Sequence, residues 1–394
     1  MRPRLQAQMT SEQKIHLKSV ARHLFRVMFS RCSRQYPSEL LLNPKRILVV
    51  NGAHVGDVVM STAVLGALRS AYPASEIGFV AGSWSKMVVT NHPMVDFVHV
   101  VDHWKMNRSR RSFASRYARY LRTRRQALRE IEPLHYDVAI CLHAYYSDLL
   151  SLCWQAKIPV RVAFEQSIAA PLANITAPYP ANPFVQQRRC FSELLRAMSM
   201  DEFHLSQCRA RLAPDSPGSI SELLELLNAP NLESTSYIVV HIGSGAPARE
   251  LPVETWRALV EALSKEYVLL FTGRGRRETE AILKTISGFP NCVDASNRLS
   301  WQGFVTTIRH AGRLYGVESM AGHVAAAVGT PSVLAYSGIA GVARWRPDTD
   351  LTTVWTHHVP CSPCGKMGGC GHMSCVHEIK GENLVSSISS GPRI

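Results

Sequence analysis

Residues 46–73 read RILVVNGAHVGDVVMSTAVLGALRSAYP. The run ILVV is typical of a strand buried on both faces, and the segment that follows Gly56 keeps an apolar stripe at helical spacing. Asn51 and Gly52 separate the two and provide a turn. A strand that leads through a short loop into a helix is the repeating unit of a parallel α/β sheet, so this stretch predicts that class of fold.

The alternation of strand and helix occurs twice along the chain. Strand-like runs EIGFVAG, FVHVV and YDVAICLH follow in the first half, and the pattern restarts at YIVVHIG (residues 237–243) with YVLLFTG, RLYGV and PSVLAYSG. Pro, Ser and Asn punctuate residues 211–235, as in a linker. The 394-residue chain is long enough for two cores. We predict two Rossmann-like parallel-sheet domains at 45–210 and 236–356, a basic extension at 1–44 and a Cys-rich segment at 357–394.

The net charge of +14 is concentrated in two stretches. Basic and apolar residues recur near helical spacing between residues 14 and 34, which predicts a basic amphipathic helix at an anionic membrane surface. Residues 105–129 hold many arginines with interleaved aromatic side chains. Such a stretch suits a polyanionic partner, and a solvated helix face is the alternative. Acceptor or membrane contact is assigned to Arg108, Arg110, Arg111 and Arg116.

The absence of long apolar runs and of nucleic-acid-binding motifs limits the expected cellular location and binding partners of the protein. No run of eighteen or more apolar residues occurs, and the N-terminus lacks the apolar core of a signal peptide. We therefore expect a cytoplasmic protein with peripheral contact to the inner face of the cytoplasmic membrane. No nucleic-acid-binding motif accompanies the positive charge, so no nucleic-acid partner is expected.

Four of the ten cysteines form a cluster near the C-terminus. They are Cys361, Cys364, Cys370 and Cys375. Closely spaced thiolates in a reducing compartment ligate a metal more often than they pair, so a structural zinc site is one interpretation. A Gly- and Cys-rich loop with free thiols is the other. Four thiolates would leave zinc no open position, so this cluster is not assigned to catalysis.

The loop after the first strand carries the candidate catalytic residue. Ligands of parallel sheets bind at the carboxyl ends of strands, and Asp57 lies there, near the start of a helix whose dipole favours an ionised carboxylate. It is a candidate general base, although an aspartate that only caps the helix would occupy the same place. His54 is a weaker candidate for the base.

Two loops of the second half are candidates for anion binding. Ser244 and Arg249 lie in HIGSGAPAR (residues 241–249), where glycines allow close backbone approach and the arginine suits a phosphate. The other loop, GVESMAGH (residues 316–323), opens a helix whose N-terminus suits a diphosphate. Its candidate donor-binding residues are Glu318, Ser319, Gly322 and His323.

Together these motifs resemble glycosyltransferase family 9, the heptosyltransferase family of bacterial lipopolysaccharide synthesis. The resemblance rests on the segment around Asp57, on VVHIGSGAPARELP and on GVESMAGHVAAAVGTPSVLAYSG, and it spans about residues 45–350. This sequence departs from the family pattern at three places: Glu318 replaces an Asp, Met320-Ala321 replaces Gly-Pro, and Arg249 replaces a Lys.

The resemblance implies a GT-B fold, in which two Rossmann-like domains face a cleft. It implies an inverting sugar transfer with Asp57 as base, a nucleotide-diphosphate sugar donor (ADP-heptose most favoured), a lipopolysaccharide or related anionic glycolipid acceptor, and no catalytic cofactor. Asp348-Thr-Asp350 matches the Asp-x-Asp pair of metal-dependent glycosyltransferases, but it lies in a Pro-containing loop and is discounted. A nucleotide-sugar epimerase and a non-catalytic membrane-associated binding protein remain the alternatives.

Overall fold

The structure, a computed structural model, describes residues 36–144, 148–167, 169–180, 182, 184–234 and 236–386. The basic helix predicted at residues 14–34 lies outside this part of the chain. Within it the chain forms two α/β domains, each built on a six-stranded parallel sheet, which confirms the predicted fold class. No helix in the described ranges is long and apolar enough to span a bilayer.

The first sheet follows from the apolar runs of the first half. Its strands are β1 (Arg46–Val50), β2 (Glu76–Ala81), β3 (Phe97–Val100), β4 (Val138–Cys141), β5 (Val160–Phe164) and β6 (Ile175–Ala177). Their order is β3-β2-β1-β4-β5-β6, all parallel. Ile47 of β1 lies between Ile77 and Val138, so the centre of the sheet is aliphatic and buried on both faces.

The second sheet repeats this topology. Its strands are β7 (Tyr237–His241), β8 (Val268–Thr272), β9 (Cys292–Asp294), β10 (Arg313–Val317), β11 (Ser332–Tyr336) and β12 (Thr352–Thr356). Their order is β12-β11-β10-β7-β8-β9, so β7 and β10 are central as β1 and β4 are in the first sheet. Both sheets thus have the strand order of a doubly wound nucleotide-binding fold.

Helices cover both faces of each sheet. The first domain and the connection after it contain α1 (Glu39–Leu42), α2 (Val55–Ser61), α3 (Ala63–Ala71), α4 (Phe113–Ile131), α5 (Asp148–Gln155), α6 (Gln187–Ala197), α7 (Glu202–Leu205) and α8 (Pro217–Leu227). The second contains α9 (Val253–Leu263), α10 (Arg276–Ile286), α11 (Trp301–Arg309), α12 (Met320–Val328), α13 (Val342–Trp345), α14 (Ser374–His377) and α15 (Gly381–Ser386). The single helix expected after Gly56 is divided at Thr62 into α2 and α3.

The expected linker (residues 211–235) and the Cys-rich segment that begins at residue 357 both pack on the second domain. Helix α8, within the expected linker, lies against α11, and Asp215 just before it pairs with Arg309 and His310. Helix α15 packs on α9, and Ile379 and Leu384 are buried in the apolar core on that side of the second sheet. The Cys-rich C-terminal segment is therefore continuous with the second domain.

The domains meet through the helices that follow β1 and β10. Helix α2 contacts α12, and a Cβ built on Gly56 would lie 3.5 Å from Cδ2 of His323. Val58 of α2 and Val324 of α12 belong to one buried apolar cluster that continues across the interface.

Buried Arg344 provides a polar anchor between the domains. Its Nη2 donates to the carbonyl oxygens of Pro180 at 2.7 Å and Asn182 at 2.5 Å, and its guanidinium lies over the ring of Tyr179. These bonds join the end of the first domain to the second.

Candidate active site

Most of the candidate residues of both domains line one interdomain cavity of about 730 Å³. Strand order reverses between β1 and β4 in the first sheet and between β7 and β10 in the second. Ligands of doubly wound sheets bind at such switch points, outside the carboxyl ends of the strands. The loops after β1, β7 and β10 therefore converge on this cavity from two sides.

Asp57 forms part of the first-domain wall, in the first turn of α2. Its Oδ2 accepts a hydrogen bond of 3.1 Å from the backbone N–H of His54, so it does cap the helix as the alternative interpretation required. Oδ1 accepts no hydrogen bond from any residue that the structure describes. The surrounding protein desolvates the carboxyl and raises its pKa to about 6, against smaller opposing effects of the His54 N–H, Arg108 and Arg249. A carboxylate with this pKa is ionised at neutral pH and basic enough to accept a proton.

His54 is less suited to the role of base. Burial, with a smaller effect of the nearby Arg108, lowers its pKa to about 4, so the ring is neutral at pH 7 and a weak base. Its Nε2 is buried without a hydrogen-bond partner in the described ranges. The neutral ring and its Nε2 make His54 a better candidate for ligand contact than for proton abstraction.

Arg249 and Glu318 form an ion pair on the second-domain wall. Arg249 Nη1 lies 3.3 Å from Glu318 Oε1, and Ser337 donates to the other carboxylate oxygen at 3.2 Å. Burial raises the pKa of Glu318, while Arg249 opposes this effect. Glu318 thus holds the guanidinium at the cavity wall, where Arg249 Nε remains without a partner among the described residues.

The first residues of α12 line the same cavity. Ser319 and His323 both line it, and the buried Oγ of Ser319 has no partner in the described part of the chain. Burial lowers the pKa of His323 to about 4, which keeps the ring neutral. Free N–H groups and the positive end of the helix dipole make this terminus suitable for an anion.

Ser244 and Gly322 have structural contacts that the sequence did not reveal. Ser244 lines the cavity, but its N–H donates to Glu250 and its Oγ to the carbonyl of Glu318 at 3.2 Å. Gly322 does not line the cavity, because it faces β11, where a Cβ would lie 2.5 Å from Cδ1 of Leu334. Glycine here permits close helix–sheet packing, and direct donor contact stays a prediction.

The four arginines assigned to acceptor or membrane contact separate into three groups. Arg108 and Arg111 line the cavity, and Arg108 Nη1 donates across the cleft to the carbonyl of Gly245 at 3.1 Å. Arg110 is exposed outside the cavity lining. Arg116 donates to the carbonyl of Asn107 and so supports the loop that carries the other three.

The sequence interpretation missed the contribution of the β2 and β3 loops. Ser83 and Trp84 follow β2 and line the cavity, and the Trp84 indole donates to the carbonyl of Ala53 at 2.8 Å. Arg119 donates to the buried carboxylate of Asp102 at 2.5 Å, which fixes it beside Ser83. The rule that ligands bind after strand ends, applied to EIGFVAGSW, could have found Ser83 and Trp84.

The four clustered cysteines differ in burial. Cys375 is buried in the apolar core of the second domain, whereas Cys361 and Cys370 are exposed. Within the described ranges, no group of three or more His, Cys, Asp or Glu side chains is arranged to hold a metal ion. Of the discounted Asp-x-Asp pair, Asp348 forms an ion pair with Arg188 of the first domain.

Three polar atoms on opposite walls of the cavity therefore lack partners: His54 Nε2, Arg249 Nε and Ser319 Oγ. Buried polar groups are normally hydrogen-bonded, so their position indicates a polar ligand between the domains. Arg249 and the N-terminus of α12 lie on the second-domain side, and the carboxylate of Asp57 lies on the first-domain side. Such a site can hold an anionic leaving group on one side and accept a proton on the other.

Two Rossmann-type domains whose switch points share one cavity form the architecture of the GT-B class. Residues 124–370 match the family model described as Glycosyltransferase family 9 (heptosyltransferase). The chain belongs to that family, as the motifs predicted. The match begins after Asp57 and includes Cys361, Cys364 and Cys370.

Solved structures of this class share the fold at low sequence identity. A family 9 glycosyl transferase from Veillonella parvula DSM 2008 is 18% identical, with 89% of this chain and 97% of that chain covered and a TM-score of 0.70. The E. coli ADP-heptose lps heptosyltransferase II is 17% identical over 88% and 98%, with a TM-score of 0.69. E. coli heptosyltransferase WaaC with ADP is 16% identical over 88% and 99%, with a TM-score of 0.63. A comparison with curated protein sequences finds no match.

Proposed function

We propose that this enzyme transfers a heptose-like sugar, with inversion, from a nucleotide-diphosphate donor to an anionic glycolipid of the lipopolysaccharide type. The observation that carries the proposal is the shared cavity, in which Asp57 faces Arg249, Ser319 and the N-terminus of α12. ADP-heptose is the favoured donor, since one solved family structure was determined with ADP and another with ADP-2-deoxy-2-fluoro heptose.

The proposed reaction is a single displacement. The acceptor hydroxyl oxygen attacks the anomeric carbon and gives its proton to Asp57. The bond between the anomeric carbon and the phosphate oxygen breaks, and the nucleoside diphosphate leaves with the electron pair. Attack opposite the leaving group inverts the anomeric configuration. Arg249, Ser319 and the α12 N–H groups would stabilise the charge that develops on the leaving phosphate.

The acceptor side of the proposal rests on the surface around the start of α4. Arg108 and Arg111 reach the cavity, and Phe113, 56% exposed, stacks on Tyr117 beside Trp104. Exposed aromatic rings next to arginines suit an anionic membrane interface. We propose that this face presents the glycolipid to Asp57 at the inner face of the cytoplasmic membrane.

The test pairs donor binding with turnover. Calorimetric titration against ADP-, UDP- and GDP-sugars identifies the donor, and Asp57→Ala should keep donor binding while losing acceptor-dependent transfer. A matched control is Asp137→Ala, whose carboxylate accepts from the backbone of Lys45 and Arg46 away from the cavity. Donor consumption without an acceptor would favour an epimerase, and absence of nucleotide-sugar binding would favour a non-catalytic scaffold.

A further inference from the structure

A second interdomain cavity lies behind the active site. It measures about 950 Å³, and Met60 of α2 and His323 of α12 line both cavities, so these two side chains stand between them. We call it the arginine cavity after the five arginines that line it: Arg188, Arg189, Arg209, Arg211 and Arg346.

The charge of the arginine cavity is not balanced by its own residues. Its acidic lining residues are Asp348 and Asp350, and Asp348 is paired with Arg188. The side chains of the other four arginines have no ion pair or hydrogen bond with any residue in the described ranges. These four arginines are exposed to solvent, and charges that line one concavity attract an anion more strongly than the same charges spread over a flat surface.

The backbone adds hydrogen-bond donors to these charges. Helix α6 begins at the cavity with Gln187 and Arg188, and its N-cap, Gln186, makes no side-chain capping hydrogen bond. The first N–H groups of an eleven-residue helix point out of its N-terminus with the positive end of the dipole. Arginine forks next to such N–H groups suit phosphate oxygens better than carboxamides or sugars.

The residues come from both domains. Arg189, Arg209 and Arg211 belong to the first domain and its exit, whereas Arg346 follows α13 of the second. A ligand with two phosphate groups can contact arginines of both domains at once. We propose that the arginine cavity binds a small molecule with two or more phosphate groups and so links the two domains.

Helix α2 connects the arginine cavity to the active site. Met60, near the end of this helix, lines the arginine cavity, and Asp57, one turn earlier, lines the active site. A ligand that spans the domains here favours one arrangement of α2 against α12. The proposal does not depend on the sugar-transfer reaction, since it concerns an anion site outside it.

The experiment is calorimetric titration of the full-length protein with inorganic pyrophosphate at low and at physiological salt. Four variants separate the sites. Arg249→Met removes one of the active-site arginines, and Arg189→Gln/Arg211→Gln removes two arginines of the second cavity. Arg274→Gln/Arg276→Gln removes the same charge from exposed positions outside both cavities and serves as the matched control. The triple variant Arg249→Met/Arg189→Gln/Arg211→Gln combines the first two.

We expect Arg249→Met to retain a pyrophosphate site. The triple variant should bind pyrophosphate at least about tenfold more weakly than Arg249→Met does. The control variant should bind as the wild type does, and binding should weaken with added salt. Melting temperatures verify that the variants are folded. The proposal is overturned if Arg249→Met binds no pyrophosphate, or if the paired arginine substitutions change affinity no more than the control does.

Discussion

Replacing Asp57 by asparagine removes a carboxylate whose ionisation is costly in the folded protein. Desolvation raises the pKa of Asp57 from 3.8 to about 6. Each pKa unit corresponds to about 1.4 kcal/mol, so ionisation at neutral pH costs about 3 kcal/mol of stability. The side chain is 27% exposed to the cavity, and solvent there reduces this cost, so we expect a gain of about 1–3 kcal/mol. The asparagine amide oxygen can still accept the His54 N–H, which preserves the cap.

The sign of the pH dependence follows from proton binding. Between pH 3.8 and about 6 the folded state holds more protons on Asp57 than the unfolded state. Stability of the wild type therefore falls as pH rises through this window. The advantage of Asp57→Asn should be full above about pH 6 and should vanish towards pH 4, where both states carry the neutral acid.

Urea unfolding of the wild type and of Asp57→Asn, at about pH 4.5 and about pH 8, measures the difference in their free energies of unfolding. In parallel, acceptor-dependent transfer by the wild type should rise through about pH 6 and then level off, while the variant loses on the order of 100-fold or more. An Asp57→Asn protein no more stable than wild type at the higher pH would refute the desolvation argument. A variant with full transfer activity would refute the assignment of the base.

The remaining predictions concern the donor wall, the domain anchor and close packing. Arg249→Met should weaken binding of the nucleotide-sugar donor by roughly 10-fold or more in calorimetry, because a charged hydrogen-bond donor to phosphate is lost. Arg344→Met should lower the free energy of unfolding by about 2–4 kcal/mol, since it leaves buried carbonyl groups unpaired, and should speed limited proteolysis between the domains. Gly66→Ala should lower the free energy of unfolding by about 1–3 kcal/mol, because a Cβ at this position would lie 2.5 Å from the backbone oxygen of Gln207.

The Arg249 and Gly66 substitutions each have a control at a comparable position. Arg276→Met removes an arginine outside the cavity and should leave donor binding unchanged. Gly218→Ala adds a methyl group at a helical glycine with no atom within 4 Å and should not destabilise the protein. Equal stability of the Gly66 and Gly218 variants, or donor binding insensitive to Arg249→Met, would contradict the contacts described above.

The sequence predicted the buried strands, because the apolar runs that form them are continuous in the chain. The strand ILVV before Asn51 and the matching run at Tyr237 lie where expected, since buried parallel strands require continuous apolar runs. The ends of those strands also located Asp57 and Arg249 at the site, because the carboxyl edge of a parallel sheet is fixed by strand direction. Their chemical roles remain predictions.

Contacts between distant segments could not be predicted in this way. Nothing around Arg344 in the sequence indicates that it binds the carbonyl groups of Pro180 and Asn182 in the other domain. The spacing of the cysteines did not indicate that Cys375 is buried among apolar side chains of the second domain. The arginine cavity is likewise formed from segments far apart in sequence.

The packing of α2 against α12 limits how this enzyme can be recombined. Asp57 belongs to the first domain, yet the helix that carries it rests on Met320 and His323 of the second domain near Gly56. A chimera that joins this first domain to the second domain of another family 9 enzyme must therefore keep the shape of that helix surface. Exchanging only the loops of Arg249 and Glu318 would leave α12 in place, whereas exchanging the whole second domain would replace it.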